Sequence, residues 1–206
     1  MKQGSDAVGR IRAVVDYALR ESFPANYWKR CTYAAFGLNQ LLTQRGIACE
    51  FVSGEVLCFT LSPDGNRAQL EGYGNAVGGT PSHYWIEADG ALLDLGVHYL
   101  PKEARRPIVA MPVVRWAKRE PLPRYLRYRE MGRAPAMRPD SSIVGRVEDF
   151  LGRCEIVDRD LGDGLTAPAW ALTGPDTLRA ATQRSDTWAR GAARFETWVD
   201  PRKLPF

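Results

Sequence analysis

Ser82-His83-Tyr84-Trp85-Ile86-Glu87-Ala88-Asp89-Gly90-Ala91-Leu92-Leu93-Asp94 is the stretch on which the reading of this chain turns. Asp89-Gly90 is a two-residue turn signal between two β-prone runs, so the stretch predicts a tight hairpin. With those two residues at the turn, Ala88 faces Ala91, Trp85 faces Asp94 and His83 faces Gly96. Opposed residues share a face, as do residues two apart on a strand. His83, Trp85, Asp94 and Gly96 therefore lie on one side. The diagonal pair His83 and Asp94 has Cβ atoms about 7–8 Å apart, within reach of a carboxylate–imidazole hydrogen bond. A slip of one residue would send them to opposite faces.

Upstream stands Trp28-Lys29-Arg30-Cys31-Thr32-Tyr33-Ala34-Ala35. From Cys31 the apolar residues Ala34, Ala35, Leu38, Leu41 and Leu42 recur at helical spacing, and Gly46 is a stop signal after Gln44-Arg45. Cys31 thus falls in the first turn of a helix, where free backbone N–H groups and the helix dipole favour negative charge on sulfur. Taken alone, a free cysteine is more often a small buried hydrophobe. Together with a histidine and an aspartate on one hairpin face, it completes the parts of a thiol-dependent acyl-transfer site: Cys31, His83 and Asp94.

The remaining composition narrows the classes. The chain has 206 residues, 45% hydrophobic and 25% charged, which suits one domain with a real core. Net charge is +4, but Lys and Arg are scattered. The densest stretch, Arg115 to Arg133, is interleaved with prolines and aromatics, and reads as a solvated face in preference to a nucleic-acid footprint. The four cysteines, at 31, 49, 58 and 154, include no CxxC pair, so neither a zinc site nor a disulfide framework is expected. No metal and no cofactor is expected. No apolar signal core opens the chain and no run of about 18 apolar residues occurs, so a cytoplasmic, reducing setting without a membrane partner is the expectation.

Along the chain, Ser5 is placed as the cap of a helix reaching about Glu21, with Val8, Ile11, Val15, Ala18 and Leu19 as its stripe. Ala25 to Arg30 is a loop. Ile47 to Leu61 reads as a strand pair, or as one long strand with a bulge or bend at Gly54; Cys49 and Cys58 within it are expected to pack in the core. Ser62 to Asn66 is a turn. Glu71 to Pro81 is glycine-rich but lacks the Lys-Ser/Thr ending of a phosphate loop, and is read as a mobile loop beside His83. His98 is assigned a structural role. Pro107 to Trp116 adds an edge strand, and the proline-punctuated stretch Glu120 to Asp140 is irregular and marks a boundary. A helix from Asp140 or Ser141 to Arg153 follows, then a last helix within Pro175 to Trp198. Asp158 to Gly164 lacks the ligands of a calcium loop. The expectation is a single domain, 1–206, with a core over about 1–118 and a helical extension over about 119–206 packed on it.

The order of these parts resembles the transglutaminase-like branch of the papain-like cysteine protease superfamily. Two stretches carry the likeness. Leu41 to Gly54 is similar to the helix-to-strand passage after that family's nucleophile, and His83-Tyr84-Trp85-Ile86-Glu87 followed by Leu93-Asp94 is similar to its histidine and aspartate strands. The residue before Cys31 is Arg30, where the family more often has glycine or tryptophan. The resemblance spans about residues 25 to 100. It implies an α+β fold with the nucleophile helix packed on an antiparallel sheet, and a hydrolase or acyltransferase acting on a peptide, a protein or a small amide or ester through a thioester. The rival expectation is a binding or scaffold protein that keeps the fold without turnover. Asn26 is a candidate second oxyanion donor beside the Cys31 N–H, with a loop-capping role as its rival, and Trp28 and Trp85 are candidate cleft walls.

Overall fold

A computed structural model describes residues 3–74, 81–200, 202, 204 and 206, with the side chains of 3–6 left aside. The chain is a mixed α+β structure in which one curled sheet separates two groups of helices. Helix α1 spans Gln3–Ser22, so Ser5 lies inside it and is not its cap. Its stripe Val8, Ile11, Val15, Ala18 and Leu19 is buried as the spacing requires. Ala25 to Arg30 is not wholly irregular: Tyr27–Lys29 forms a single 3-10 turn. Helix α2, Cys31–Gln44, begins at the cysteine itself and ends before Gly46, whose φ of 70° only glycine adopts freely.

Strand β1, Cys49–Leu61, is one continuous element, and its pairing shifts register between Ser53 and Gly54. A Cβ on Gly54 would lie 2.0 Å from the Arg129 carbonyl oxygen, so the bulge needs glycine there. Strands β2 (Ala68–Tyr73), β3 (His83–Ala88), β4 (Ala91–Asp94), β5 (Val113–Ala117), β6 (Leu126–Ala134) and β7 (Ala171–Leu172) complete the sheet. The pairing order is β2-β1-β3-β4-β5-β7, with β6 also on β1. The β3–β4 hairpin has the register read from the sequence, Ala88 opposite Ala91 and Ile86 opposite Leu93. Asp89 and Gly90 both take positive φ at its turn, which is the geometry of an Asp-Gly hairpin loop. The proposed mobile loop falls largely on 75–80, outside the described residues.

β1 has three partners but only two edges. Phe51 to Gly54 pair with β3 and β6 at once, and Val56 to Cys58 pair with β2 and β6 at once. β6 therefore holds one edge, while β3 and β2 lie end to end along the other. The last residue of β2, Tyr73, and the first of β3, His83, meet at this seam.

Further expectations change. Glu120 to Asp140 is not a boundary: it contains β6, nine residues long and paired along β1. Residues beyond 118 are accordingly part of the sheet and not an extension laid over a finished core. β5 is present but is not an edge, because β7 pairs with it in parallel. The predicted last helix is three short ones, α5 (Pro175–Gln183), α6 (Thr187–Ala192) and α7 (Phe195–Trp198). Ser185 at a φ of 63° breaks the first from the second, and the Asp186 carboxylate caps α6 by accepting from Ala189 N at 2.8 Å. Helix α4, Val144–Leu161, starts later and runs longer than expected.

Alternation along the strands sorts the core. Phe51, Ile86, Leu93 and Val113 face α1, α2 and α4. Val52, Trp85, Leu92 and Val114 face the other way, towards α5, α6 and Trp188. Trp188 is fully buried against Phe59 and Tyr125 and donates its indole N–H to Phe59 O at 2.9 Å. Among the described residues no helix is long and apolar enough to cross a membrane.

Candidate functional site

His83 begins β3 and Asp94 ends β4, on the face shared with Trp85. Both are buried, at 0% and 1% exposure, and His83 Nε2 lies 2.7 Å from Asp94 Oδ2. The carboxylate has two further partners. Tyr128 donates its hydroxyl to Oδ2 at 2.7 Å, and the Gly96 backbone N–H donates to Oδ1 at 2.6 Å. A tyrosine hydroxyl that donates and a backbone N–H leave the carboxylate as acceptor throughout. Nε2 is thereby assigned as the protonated ring nitrogen, and Nδ1 is left to face the thiol. This tautomer follows from the hydrogen-bond network.

The ring is held on its faces as well. Tyr73 stacks on it at 4.8 Å between centroids and 6° between planes, and donates its hydroxyl to Gly96 O at 3.3 Å. Trp85 lies at 6.2 Å and 23°. Gly96 closes the edge: a Cβ there would sit 2.4 Å from His83 Cε1. The sequence placed Gly96 opposite His83 on a strand. It is instead the first residue of a short helix, α3 (Gly96–Tyr99), but it does lie against the imidazole.

Cys31 is half-buried at the start of α2, whose first turn has no side-chain cap at Arg30. Burial by itself would lower the basicity of His83. The Asp94 charge and hydrogen bond, with a hydrogen bond and charge from Cys31, outweigh it and raise the imidazole pKa to about 10. Nδ1 nonetheless makes no geometrically complete hydrogen bond among the described residues. The thiol thus acts on the ring without a geometrically complete hydrogen bond at Nδ1, as catalytic contacts often do before a ligand tightens them. The neighbourhood of Cys31 also includes Tyr73 and Tyr84; burial pushes both hydroxyls up first, followed for Tyr73 by the charges of Glu103 and then Cys31, and for Tyr84 by that of Cys31.

Because the folded His83 pKa is raised, its protonated form stabilises the fold. That contribution is complete below about 6.5, the ordinary histidine value, and is lost as pH rises through about 10. The urea-unfolding free energy of the wild type minus that of His83→Gln, which cannot titrate, should therefore shrink across this window. A constant difference from pH 6.5 to 10 would contradict the pairing.

Each of the other sequence candidates is held by its own neighbours. Asn26 Oδ1 accepts from Arg30 Nε at 3.1 Å, clipping the 3-10 turn, which is the loop role weighed against the oxyanion one. Arg30 in turn spreads over Phe23 and Tyr33. Trp28 is partly buried and edge-on to Tyr27. Trp85 is buried behind His83 and edge-on to Tyr128, so it supports the imidazole and walls no cleft. His98 is structural: its Nδ1 lies 2.7 Å from Met111 O, and burial lowers its pKa. Among the described residues no cluster of three His, Cys, Asp or Glu is arranged to hold a metal ion. Much of the basic stretch is neutralised locally, with Arg129 on Glu55, Arg133 on Glu50, Glu87 and Glu130, and Lys118 on Glu87.

Tyr73 and Tyr128 were not read as site residues. The only signal for Tyr128 was the alternation of Leu126 and Tyr128 with arginines, obscured by flanking prolines. No family model matches the chain, and no curated protein and no solved structure matches it either.

Proposed function

We propose that the chain is a cysteine-nucleophile hydrolase or acyltransferase on a papain-like, transglutaminase-like core, acting on an amide or ester. The observation that carries this is the buried His83–Asp94 pair at 2.7 Å, with the Cys31 thiol acting on the same imidazole from a helix start. Nδ1 takes the thiol proton while Nε2–H stays on Asp94. The sulfur attacks the carbonyl carbon, and the developing oxyanion takes the backbone N–H of Cys31 as one donor. The imidazolium returns its proton to the leaving amine or alcohol as the tetrahedral intermediate collapses to a thioester. Water or an amine then attacks the thioester, His83 removes its proton, and the thiol is restored.

A non-catalytic binding role is the second reading, favoured by His83 Nδ1, which makes no geometrically complete hydrogen bond among the described residues. Thiol reactivity separates the two. Iodoacetamide near neutral pH should modify Cys31 ahead of the other cysteines in the folded chain. Burial pushes the Cys58 and Cys154 thiols up, and Cys49 is held between Asn39 and Thr43 without an imidazole. Equal rates at Cys31 and Cys49, measured by peptide mass mapping, would support the binding role.

A further inference from the structure

The outer edge of β2 leads to the same site. Phe59 donates its N–H to Tyr125 O, on the β6 side of β1. Amide direction alternates along a strand, so Cys58 and Thr60 turn theirs to their register partners Glu71 and Gln69. Leu70 and Gly72 therefore turn their N–H and C=O groups away from β1, and among the described residues no strand pairs with that edge. A cavity of about 500 Å³ runs along it. It touches five consecutive residues, Gln69 to Tyr73. Neighbouring strand residues point to opposite faces, so a cavity touching all five borders the edge of the strand and not one face.

The head of this groove is Tyr73, the residue stacked on His83. Its far wall includes Glu103, Arg105 and Arg106. The Glu103 carboxyl is pushed up by burial while the charges of Lys29 and His83 act against that, which places the wall within electrostatic reach of the imidazole. Arg105 and Arg106 are exposed.

We infer that the outer edge of β2 docks an extended polypeptide segment, whose main chain pairs with Leu70 and Gly72 and carries a backbone carbonyl to Cys31. The inference rests on the thiol-site reading above and adds the substrate class to it. A small ester has no repeat to match two outward amide groups spaced two residues apart, whereas an extended chain has that repeat. Acidic side chains of the segment fit the Arg105 and Arg106 wall.

The test uses a pentapeptide vinyl sulfone pool and the same electrophile carrying only an acetyl cap, with the Cys31 adduct followed by mass spectrometry. The peptides should label Cys31 at least about tenfold faster, the effect of a few modest main-chain hydrogen bonds. N-methylation at alternate peptide positions should remove the gain, and at the intervening positions should keep it. Leu70→Pro should also remove it, since the lost donor is one β1 does not use and an edge strand tolerates proline there. Should that variant unfold, the N-methyl series decides alone. Equal labelling by peptide and capped electrophile, with Cys31 still faster than Cys49, overturns the docking edge and leaves the thiol site standing. No labelling of Cys31 beyond that of Cys49 by either reagent overturns both.

Discussion

Replacing His83 by alanine should lower the rate of Cys31 alkylation at neutral pH by about 10²–10⁴, the usual contribution of a positioned acid–base group. Asp94 accepts from three donors, and only the His83 one connects it to the thiol. Without the imidazole the sulfur loses its proton acceptor, while Tyr128 and Gly96 still satisfy Asp94 and hold the hairpin end in place. Near-ultraviolet circular dichroism should therefore stay close to that of the wild type. Asp94→Asn should cost less, about 10–10³, because a thiol paired with an imidazole depends less on the carboxylate than a serine does. Stability should suffer too, since either orientation of the amide sets its NH2 against a donor, Gly96 N–H on one side or His83 and Tyr128 on the other. An alkylation rate and pH profile unchanged in His83→Ala would remove the histidine from the chemistry altogether.

Gly96→Ala is the second large effect. The added methyl would lie 2.4 Å from His83 Cε1 and 3.1 Å from Asp94 Oδ1. The ring has no free direction, being stacked under Tyr73, tied to Asp94 and backed by Trp85. Either the imidazole leaves its carboxylate or the backbone at Gly96 gives up its bond to Oδ1. Overpacking of this kind costs about 1–3 kcal/mol. Urea unfolding should show that loss, and Cys31 alkylation should fall towards the His83→Ala rate. A variant as stable and as reactive as the wild type would mean that the site has slack which the packing denies.

How far the sequence could be read depended on how local each signal was. The hairpin was legible because a turn dipeptide and a two-residue period fix its register within twelve residues, and that register alone put His83 and Asp94 together. The start of α2 at Cys31 was legible from the Leu38, Leu41 and Leu42 stripe and Gly46. β6 was not, because its charges look like solvent-facing residues. Arg129 and Arg133 are exposed, but they pair with Glu55, Glu50 and Glu87 on other strands, partners that become visible only once the sheet is assembled. Losing β6 from the reading also lost Tyr128 and produced a boundary where none exists. The break of the last helix at Ser185 depends on one residue taking positive φ, which carries little signal in a serine.

The placement of β6 sets the order in which the surroundings of Asp94 are completed during synthesis. A nascent chain that has emerged as far as residue 118 already holds the thiol, the imidazole and the carboxylate, yet one whole edge of β1 is bare and Asp94 lacks the Tyr128 hydroxyl. Closure of the β1–β6 pair spans more than 70 residues, from Val56 to Tyr128, so it is a slow, non-local event compared with forming α2 or the hairpin. The imidazole–carboxylate pair thus waits on the second half of the chain: Asp94 gains the Tyr128 hydroxyl, and His83 its full support, only when β6 has closed on β1.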